Sequence, residues 1–103
     1  MRRRARTDEN QAAYVRALRQ IPGVSVLDLS RLGQGAPDFA VGYDGRTTLV
    51  ELKNPAMPPS ARRLTPDEER FRDGWTGSYL ITTDLSEILE AIGVTRRSAS
   101  RAR

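Results

Sequence analysis

Two segments of the chain place uncharged residues at the three- and four-residue spacing of an amphipathic helix. The first segment covers residues 8–20, and one face of it carries Gln11, Tyr14, Val15 and Leu18. Arg16 and Arg19 fall on the other side of this helix. The second segment carries on one face Leu85, Ile88, Leu89 and Ile92. Thr83 or Asp84 is predicted to cap the start of that helix, and Gly93 its end.

A third helix is predicted from its start signal. The segment Thr65-Pro66-Asp67-Glu68 offers an N-cap threonine, a proline at the first helical position and a glutamate at the third, which is a capping box. The helix should continue to about Trp75, and we expect the rings of Trp75 and Phe71 to lie in the core. Residues 54–63 contain three prolines and are predicted to be an irregular loop.

Short apolar runs predict four strands. Residues 24–29 and 78–82 are two of them, and residues 36–43 and 46–53 form a β-hairpin around Asp44-Gly45. A two-residue hairpin turn requires positive φ angles, which Asp-Gly tolerates well. With this turn, paired residue numbers sum to 89, so Tyr43 faces Arg46 and Asp38 faces Glu51.

The order of the elements is helix, strand, strand, strand, helix, strand, helix. This order predicts an α/β fold in which helices flank a mixed β-sheet. A chain of 103 residues is long enough for one modest core. We therefore expect one domain over residues 8–93, with a basic arm at residues 1–7 and a basic tail at residues 94–103.

The hairpin brings together residues that suit a metal-dependent reaction on phosphates. Directly opposed residues have Cβ atoms about 4.5–5.5 Å apart, so Asp38 and Glu51 can share one divalent cation. Lys53 lies on the same face, where it can stabilise the transition state of phosphodiester hydrolysis or help to activate the nucleophile. Phe39 and its neighbours supply a core for the other face, so the acidic face need not be buried. The alternative is a solvated outer face with a weak surface ion pair.

Composition restricts the chemistry further. The chain has no cysteine and no histidine, which excludes disulfides, thiolate or imidazole ligation of zinc, and a histidine general base. A metal would therefore be hard and bound by oxygen, and no organic cofactor is expected. No apolar run approaches the ~18 residues of a membrane span, and no secretory signal is readable. We expect a cytoplasmic protein that does not contact membranes.

Basic residues are concentrated at the two ends of the chain. Residues 1–6 and 96–103 hold eight of the 17 basic residues and none of the 13 acidic ones, so the segment between them has a net charge of −4. Basic ends on an acidic body favour binding to a phosphate backbone, with an affinity that falls as salt rises. The alternative is that these ends only increase solubility.

Two groups of residues resemble a known nuclease superfamily. Gly35-Ala36-Pro37-Asp38, followed after twelve residues by Glu51-Leu52-Lys53, resembles the PD-(D/E)xK signature. Leu64-Thr65-Pro66-Asp67-Glu68, followed by Phe71, Trp75 and Gly77, resembles more narrowly the stand-alone VRR-NUC domains of phages and prophages. The resemblance covers residues 8 to about 92.

The resemblance implies a restriction-endonuclease-like fold and Mg²⁺- or Mn²⁺-dependent cleavage of DNA, often at structured or branched sites. It implies that Asp38, Glu51 and the main-chain carbonyl of Leu52 bind the metal, and that Lys53 is the catalytic lysine. Gln11 stands where the family often has a glutamate on its first helix, with Asp8 one turn earlier. Both are candidate metal ligands.

Two of these positions depart from the family pattern. Glu68 stands where the family has a glutamine, and its capping box already explains it. Gln11 has the alternative of a helix residue that is hydrogen-bonded at the edge of the sheet.

Further candidates concern contacts with nucleic acid. Arg62 and Arg63 lie in a loop that follows the candidate site, and we expect them, like Arg31, to contact phosphates. Gly33 and Gly35 would allow a phosphate backbone to approach closely, since a Cβ would be an obstacle there.

The sequence therefore predicts a small endonuclease that uses one or two Mg²⁺ or Mn²⁺ ions and acts on DNA in a bacterial or phage-infected cell. Cutting both strands of a duplex requires two active sites, so a homodimer is the expected working unit. Two other hypotheses stay open at this point. One is a non-catalytic nucleic-acid-binding protein with an inert nuclease fold, and the other is an adaptor whose hairpin acids are surface residues.

Overall fold

A computed structural model of the protein describes residues 2–94, without the side chains of residues 2–9 and Ala61. It contains three α-helices, four strands and one 3₁₀ turn at Pro59–Arg62 inside the proline-rich loop. The helices are α1 (Arg2–Arg19), α2 (Pro66–Gly74) and α3 (Leu85–Ile92). The strands are β1 (Ser25–Asp28), β2 (Phe39–Tyr43), β3 (Arg46–Leu52) and β4 (Ser78–Thr82). The predicted order of helices and strands is confirmed.

The strands form one mixed sheet in the order β1-β2-β3-β4. The first three strands pair antiparallel, whereas β3 and β4 pair parallel through the α2 crossover. The predicted hairpin register is confirmed from Phe39, which pairs with Val50, to Tyr43, which pairs with Arg46. The predicted pair of Asp38 with Glu51 is not part of the ladder, because Asp38 lies before β2 and its N–H donates to the carbonyl of Val50. Asp44 and Gly45 both have positive φ angles, 53° and 76°, as a primed turn requires.

One face of the sheet carries the main core. The helices α1 and α3 pack on this face, and the fully or nearly fully buried side chains are Leu18, Phe39, Val41, Val50, Leu52, Ile88, Ile92 and Val94. Val94, which we assigned to the basic tail, thus belongs to the core. The rest of that tail, residues 95–103, lies outside the described residues.

The helix α2 lies outside this core and contributes no buried residue. Its Phe71 ring is 6.0 Å from the ring of Trp75 and 6.3 Å from that of Tyr79 on β4. Trp75 is 43% exposed, and Phe71 is only half-buried and lies outside the core cluster, so the prediction that these rings lie in the core is wrong for both. For Trp75 the reason is local, since its indole N–H donates to the carbonyl of Ser78 at 3.1 Å and holds the ring at the surface turn into β4.

The helix ends follow the sequence signals except at the start of the chain. Thr65 and Glu68 form the predicted capping box, Asp84 caps α3, and Gly93 ends α3 with φ 95°. The helix α1, predicted from residue 8, begins at Arg2, so the backbone of the predicted basic arm continues the helix. No glycine or proline interrupts residues 2–19, and arginine and alanine favour helix. Within the described residues 2–94, no helix is long and apolar enough to cross a membrane.

Candidate active site

An open cleft of about 1320 Å³ lies at the end of the sheet where β1 and β3 finish and β2 begins. The helix α1 forms one wall of the cleft, and the loop after β1 and the start of α2 form others. Asp38, Glu51, Leu52 and Lys53 all line this cleft. The structure therefore places the four residues of the predicted metal and catalytic set together.

Asp38 is held in place through its main chain and its side chain. It lies just before β2, where its N–H donates to the carbonyl of Val50 at 3.0 Å and its own carbonyl accepts from the N–H of Leu29 at 2.9 Å. Its Oδ2 accepts from the N–H of Leu52 at 2.7 Å. The carboxylate is thus fixed against the last residue of β3, which directly precedes Lys53.

Glu51 lies on β3 and Lys53 directly follows this strand, and their side chains are neighbours on one side, as the strand alternation predicts. The side chain of Glu51 is 6% exposed, and its Oε2 is 3.4 Å from Lys53 Nζ. Lys53 Nζ is closer to Glu68 Oε1, at 2.9 Å. Glu51 is therefore buried, and it is not part of a solvated outer face.

Burial raises the pKa values of both carboxyl groups. It raises the pKa of Asp38 to about 6, although the hydrogen bond from Leu52 acts in the opposite direction. Burial, together with the negative charges of Asp38 and Glu68, raises the pKa of Glu51 to about 9. Lys53 alone therefore does not compensate the negative charge that these residues carry when ionised.

Lys53 and Glu68 stabilise each other in their charged forms. Burial alone would lower the pKa of Lys53, but its hydrogen bond to Glu68 and the charge of Glu51 raise that pKa above the ordinary value. Burial would likewise raise the pKa of Glu68, but the N–H of Thr65 and the ammonium of Lys53 hold it below the ordinary value. Lys53 is also the only lysine in the chain, beside 16 arginines.

A hard divalent cation fits this donor set. Two buried carboxylates and the carbonyl of Leu52 offer only oxygen ligands, and a cation between the carboxylates would offset the negative charge that burial destabilises. Within the described part of the chain, no group of three or more acidic side chains is arranged to hold a metal ion. Mg²⁺ usually binds to only one or two protein carboxylates and keeps several water ligands, so a site with few protein ligands suits it.

Gln11 lines the same cleft, but its amide contacts a different acid. Gln11 is 7% exposed, and its Nε2 donates to Asp28 Oδ1 at 3.4 Å. Asp28 is the last residue of the edge strand β1, so the structure matches the alternative of a hydrogen-bonded residue at the sheet edge. The side chain of Asp8 lies outside the described side chains.

Asp28 is a cleft residue that the sequence analysis missed. Its Oδ1 accepts from the main-chain N–H of Ser30 at 2.8 Å and from Ser30 Oγ at 2.6 Å. These hydrogen bonds lower the pKa of Asp28. The available signal was an aspartate followed two residues later by serine at the end of a strand, which is a common turn pattern.

Glu68 has two roles in the structure. Its Oε1 accepts from the N–H of Thr65 at 2.8 Å, which completes the capping box, and it also accepts from Lys53 Nζ. The sequence indicated only the first role. Glu68 therefore caps the start of α2 and also positions Lys53, the candidate catalytic lysine.

The residues expected to contact nucleic acid divide into two groups. Arg31 and Gly35 line the cleft, whereas Arg62 and Arg63 do not. Gly35 has φ 81°, and a Cβ there would lie 2.2 Å from the carbonyl oxygen of Asp67. The glycine is thus required by packing of this loop against α2.

Comparisons with protein-family models, curated proteins and solved structures found no match to this chain. A functional assignment therefore depends on the residues and the geometry of the cleft.

Proposed function

We propose that this protein is a divalent-cation-dependent nuclease that hydrolyses phosphodiester bonds in DNA. The observation that carries the proposal is the buried pair Asp38 and Glu51, with pKa values raised to about 6 and about 9, beside Lys53 in an open cleft. Buried acids that destabilise each other are costly for folding and are typical of functional sites.

The carboxylates of Asp38 and Glu51 and the main-chain carbonyl of Leu52 would hold Mg²⁺ or Mn²⁺. When bound, such a cation offsets the two carboxylates, polarises a phosphoryl oxygen and lowers the pKa of water. The N–H of Leu52 keeps Asp38 Oδ2 oriented at 2.7 Å. Because this bond is made by the backbone of β3, the ligand needs little rearrangement.

We assign Lys53 to stabilising charge on the phosphate rather than to abstracting a proton. Its pKa is raised by Glu68 and Glu51, so its ammonium form dominates at neutral pH. Glu68 Oε1 holds the ammonium from the α2 side at 2.9 Å. A preorganised cation of this kind stabilises a developing negative charge without reorganisation.

The finer features of the proposal come from the resemblance to VRR-NUC domains and from duplex geometry. The resemblance favours structured or branched DNA as the substrate. Since one cleft cuts one strand, cutting both strands of a duplex would require two clefts, which favours a homodimer as the working unit.

The test is cleavage of labelled single-stranded, duplex and four-way-junction DNA with Mg²⁺, with Mn²⁺ and with EDTA. We expect cleavage only with a divalent cation, and a loss of about a hundredfold or more in Asp38→Asn and Lys53→Met. Asp44→Asn is the matched control, because Asp44 is exposed at the hairpin turn and asparagine tolerates its positive φ. Circular dichroism checks that each variant is folded.

Other outcomes separate the alternatives. DNA binding that persists in EDTA, with no cleavage under any condition, would favour the non-catalytic binding protein. Absence of both binding and cleavage would favour the adaptor. Cleavage that resists EDTA, or that is equal in wild type and Asp38→Asn, would refute the proposed site.

A further inference from the structure

The α1 wall of the cleft carries arginines that the sequence analysis assigned to the outer side of the helix. Arg16 and Arg19 both line the cleft, and Arg31 joins them from the loop after β1. Residues three apart on a helix lie on the same side, with Cβ atoms about 5–6 Å apart. The two arginines therefore form a short basic ridge along one wall.

These arginines are available for binding. Among the described side chains, none of the three makes an ion pair with an acid, whereas Lys53, Arg70 and Arg72 all do. Arg19 Nη2 donates to the carbonyl of Val26 at 3.0 Å. A guanidinium has five N–H donors, so this bond orients the group and leaves others to bind a ligand.

The cleft offers charge rather than stacking. In the part of the chain that the structure describes, no aromatic side chain lines it, so base stacking contributes little. A row of guanidinium groups matches a row of phosphates, because the planar fork binds phosphate oxygens in pairs. The ligand that fits this wall is a sugar-phosphate backbone of any sequence.

We propose that Arg16, Arg19 and Arg31 form a phosphate track that holds the DNA strand beside Asp38 and Glu51. This inference rests on the proposed nuclease function. It retains the expected phosphate contact of Arg31, adds Arg16 and Arg19, and leaves out Arg62 and Arg63, which do not line the cleft.

The experiment measures binding of a fluorescent oligonucleotide in EDTA, so that nothing is cut, over a range of salt concentrations. Arg16→Gln with Arg19→Gln is compared with Arg62→Gln with Arg63→Gln, which removes the same charge elsewhere. Each lost phosphate contact reduces the slope of log affinity against log salt by about 0.7 for single strands. The α1 pair is the double variant Arg16→Gln with Arg19→Gln, and the control pair is Arg62→Gln with Arg63→Gln. We expect the α1 pair to reduce the slope of log affinity against log salt by about 1.4 and to weaken binding at least tenfold. The control pair should change both quantities much less.

Cleavage with Mg²⁺ gives a second measurement. The α1 pair should raise KM with kcat within about twofold of wild type, because these residues bind substrate away from the reacting atoms. Among the described side chains, Arg16 makes no ion pair, so removing its charge alone should not affect folding. The single variant Arg16→Gln therefore keeps the test valid if the double variant unfolds.

The outcomes distinguish the two proposals. Binding that depends on the α1 pair, in a protein that never cleaves, would support the track and refute the nuclease. The track would be overturned if the wild type cleaves DNA and the α1 pair binds it as tightly as the wild type. It would also be overturned if the control pair loses more affinity than the α1 pair. Absence of any binding at low salt would overturn it as well.

Discussion

Replacement of Glu51 by glutamine should stabilise the metal-free protein at pH 8 while it abolishes cleavage. The side chain of Glu51 is 6% exposed, and its pKa is about 9 against an ordinary value of 4.5. Glutamine keeps the size of the side chain and removes the charge that burial, Asp38 and Glu68 disfavour. The variant therefore separates the electrostatic cost of the site from its packing.

The direction in which stability changes with pH follows from which state, folded or unfolded, holds the proton on Glu51. Between pH 4.5 and about 9 the folded protein keeps a proton on Glu51 that the unfolded chain has released, so the free energy of unfolding falls as pH rises through this range. The cost is absent below pH 4.5 and complete above about pH 9. Asp38 adds a similar loss over a lower range, from pH 3.8 to about 6.

The magnitude for Glu51 follows from about 1.4 kcal/mol for each pH unit within the range. Between pH 5 and pH 8 the loss is at most about 4 kcal/mol, and water entering the open cleft reduces it to about 2–4 kcal/mol. A change of 1 kcal/mol moves the Tm of a domain of this size by about 4–8 °C. The Tm of the wild type should therefore fall by roughly 10 °C or more.

The assay is thermal unfolding in EDTA at pH 5 to 8 for wild type, Glu51→Gln and the control Glu90→Gln. Glu90 is exposed on α3, so its variant should follow the wild type. The Glu51 variant should lose much less Tm over the range. Mg²⁺ should raise the Tm of wild type more than that of the variant, since it binds the folded site. If Glu51→Gln and wild type show equal pH dependence, the electrostatic basis of the metal site is refuted.

Three further predictions concern stability and activity. Gly35→Ala should lower the free energy of unfolding in urea by more than about 2 kcal/mol, because its Cβ would lie 2.2 Å from the carbonyl oxygen of Asp67. Gly33→Ala should lower it by only about 1–2 kcal/mol, the cost of a positive φ angle, since nothing lies near its Cβ. Equal losses in the two variants would exclude the clash. Thr65→Ala should lose about 1 kcal/mol through its N-cap, and an unchanged urea midpoint would contradict that role. Lys53→Arg should keep the Tm within a few degrees yet lose cleavage at least tenfold, since a planar fork does not replace a compact ammonium; full activity would remove the assigned role of lysine.

Short-range signals explain why much of the site could be predicted. Asp44-Gly45 accepts positive φ angles, and this turn determines the hairpin register that brings Asp38 to the end of β3. Strand alternation then places Glu51 and Lys53 on one face. The capping box likewise depends only on residues within one turn of Thr65.

The remaining features of the site depend on contacts between distant segments. Asp28 enters the cleft because β1 pairs with β2, and Gln11 reaches it because α1 packs over that edge. The same packing places Arg16 in the cleft wall, although the spacing of apolar residues puts it outside. A helical pattern shows which face is apolar but does not show what lies along the flanks of that face.

The sequence by itself determined the elements, their caps, the hairpin register and the pairing of two acids with a lysine, because each depends on neighbouring residues. Only the tertiary structure decided that Glu51 is buried with a raised pKa, that Glu68 holds Lys53, and that the arginines of α1 rather than those of the proline-rich loop line the cleft. These features arise from desolvation and from packing of segments far apart in the chain, which no local pattern records.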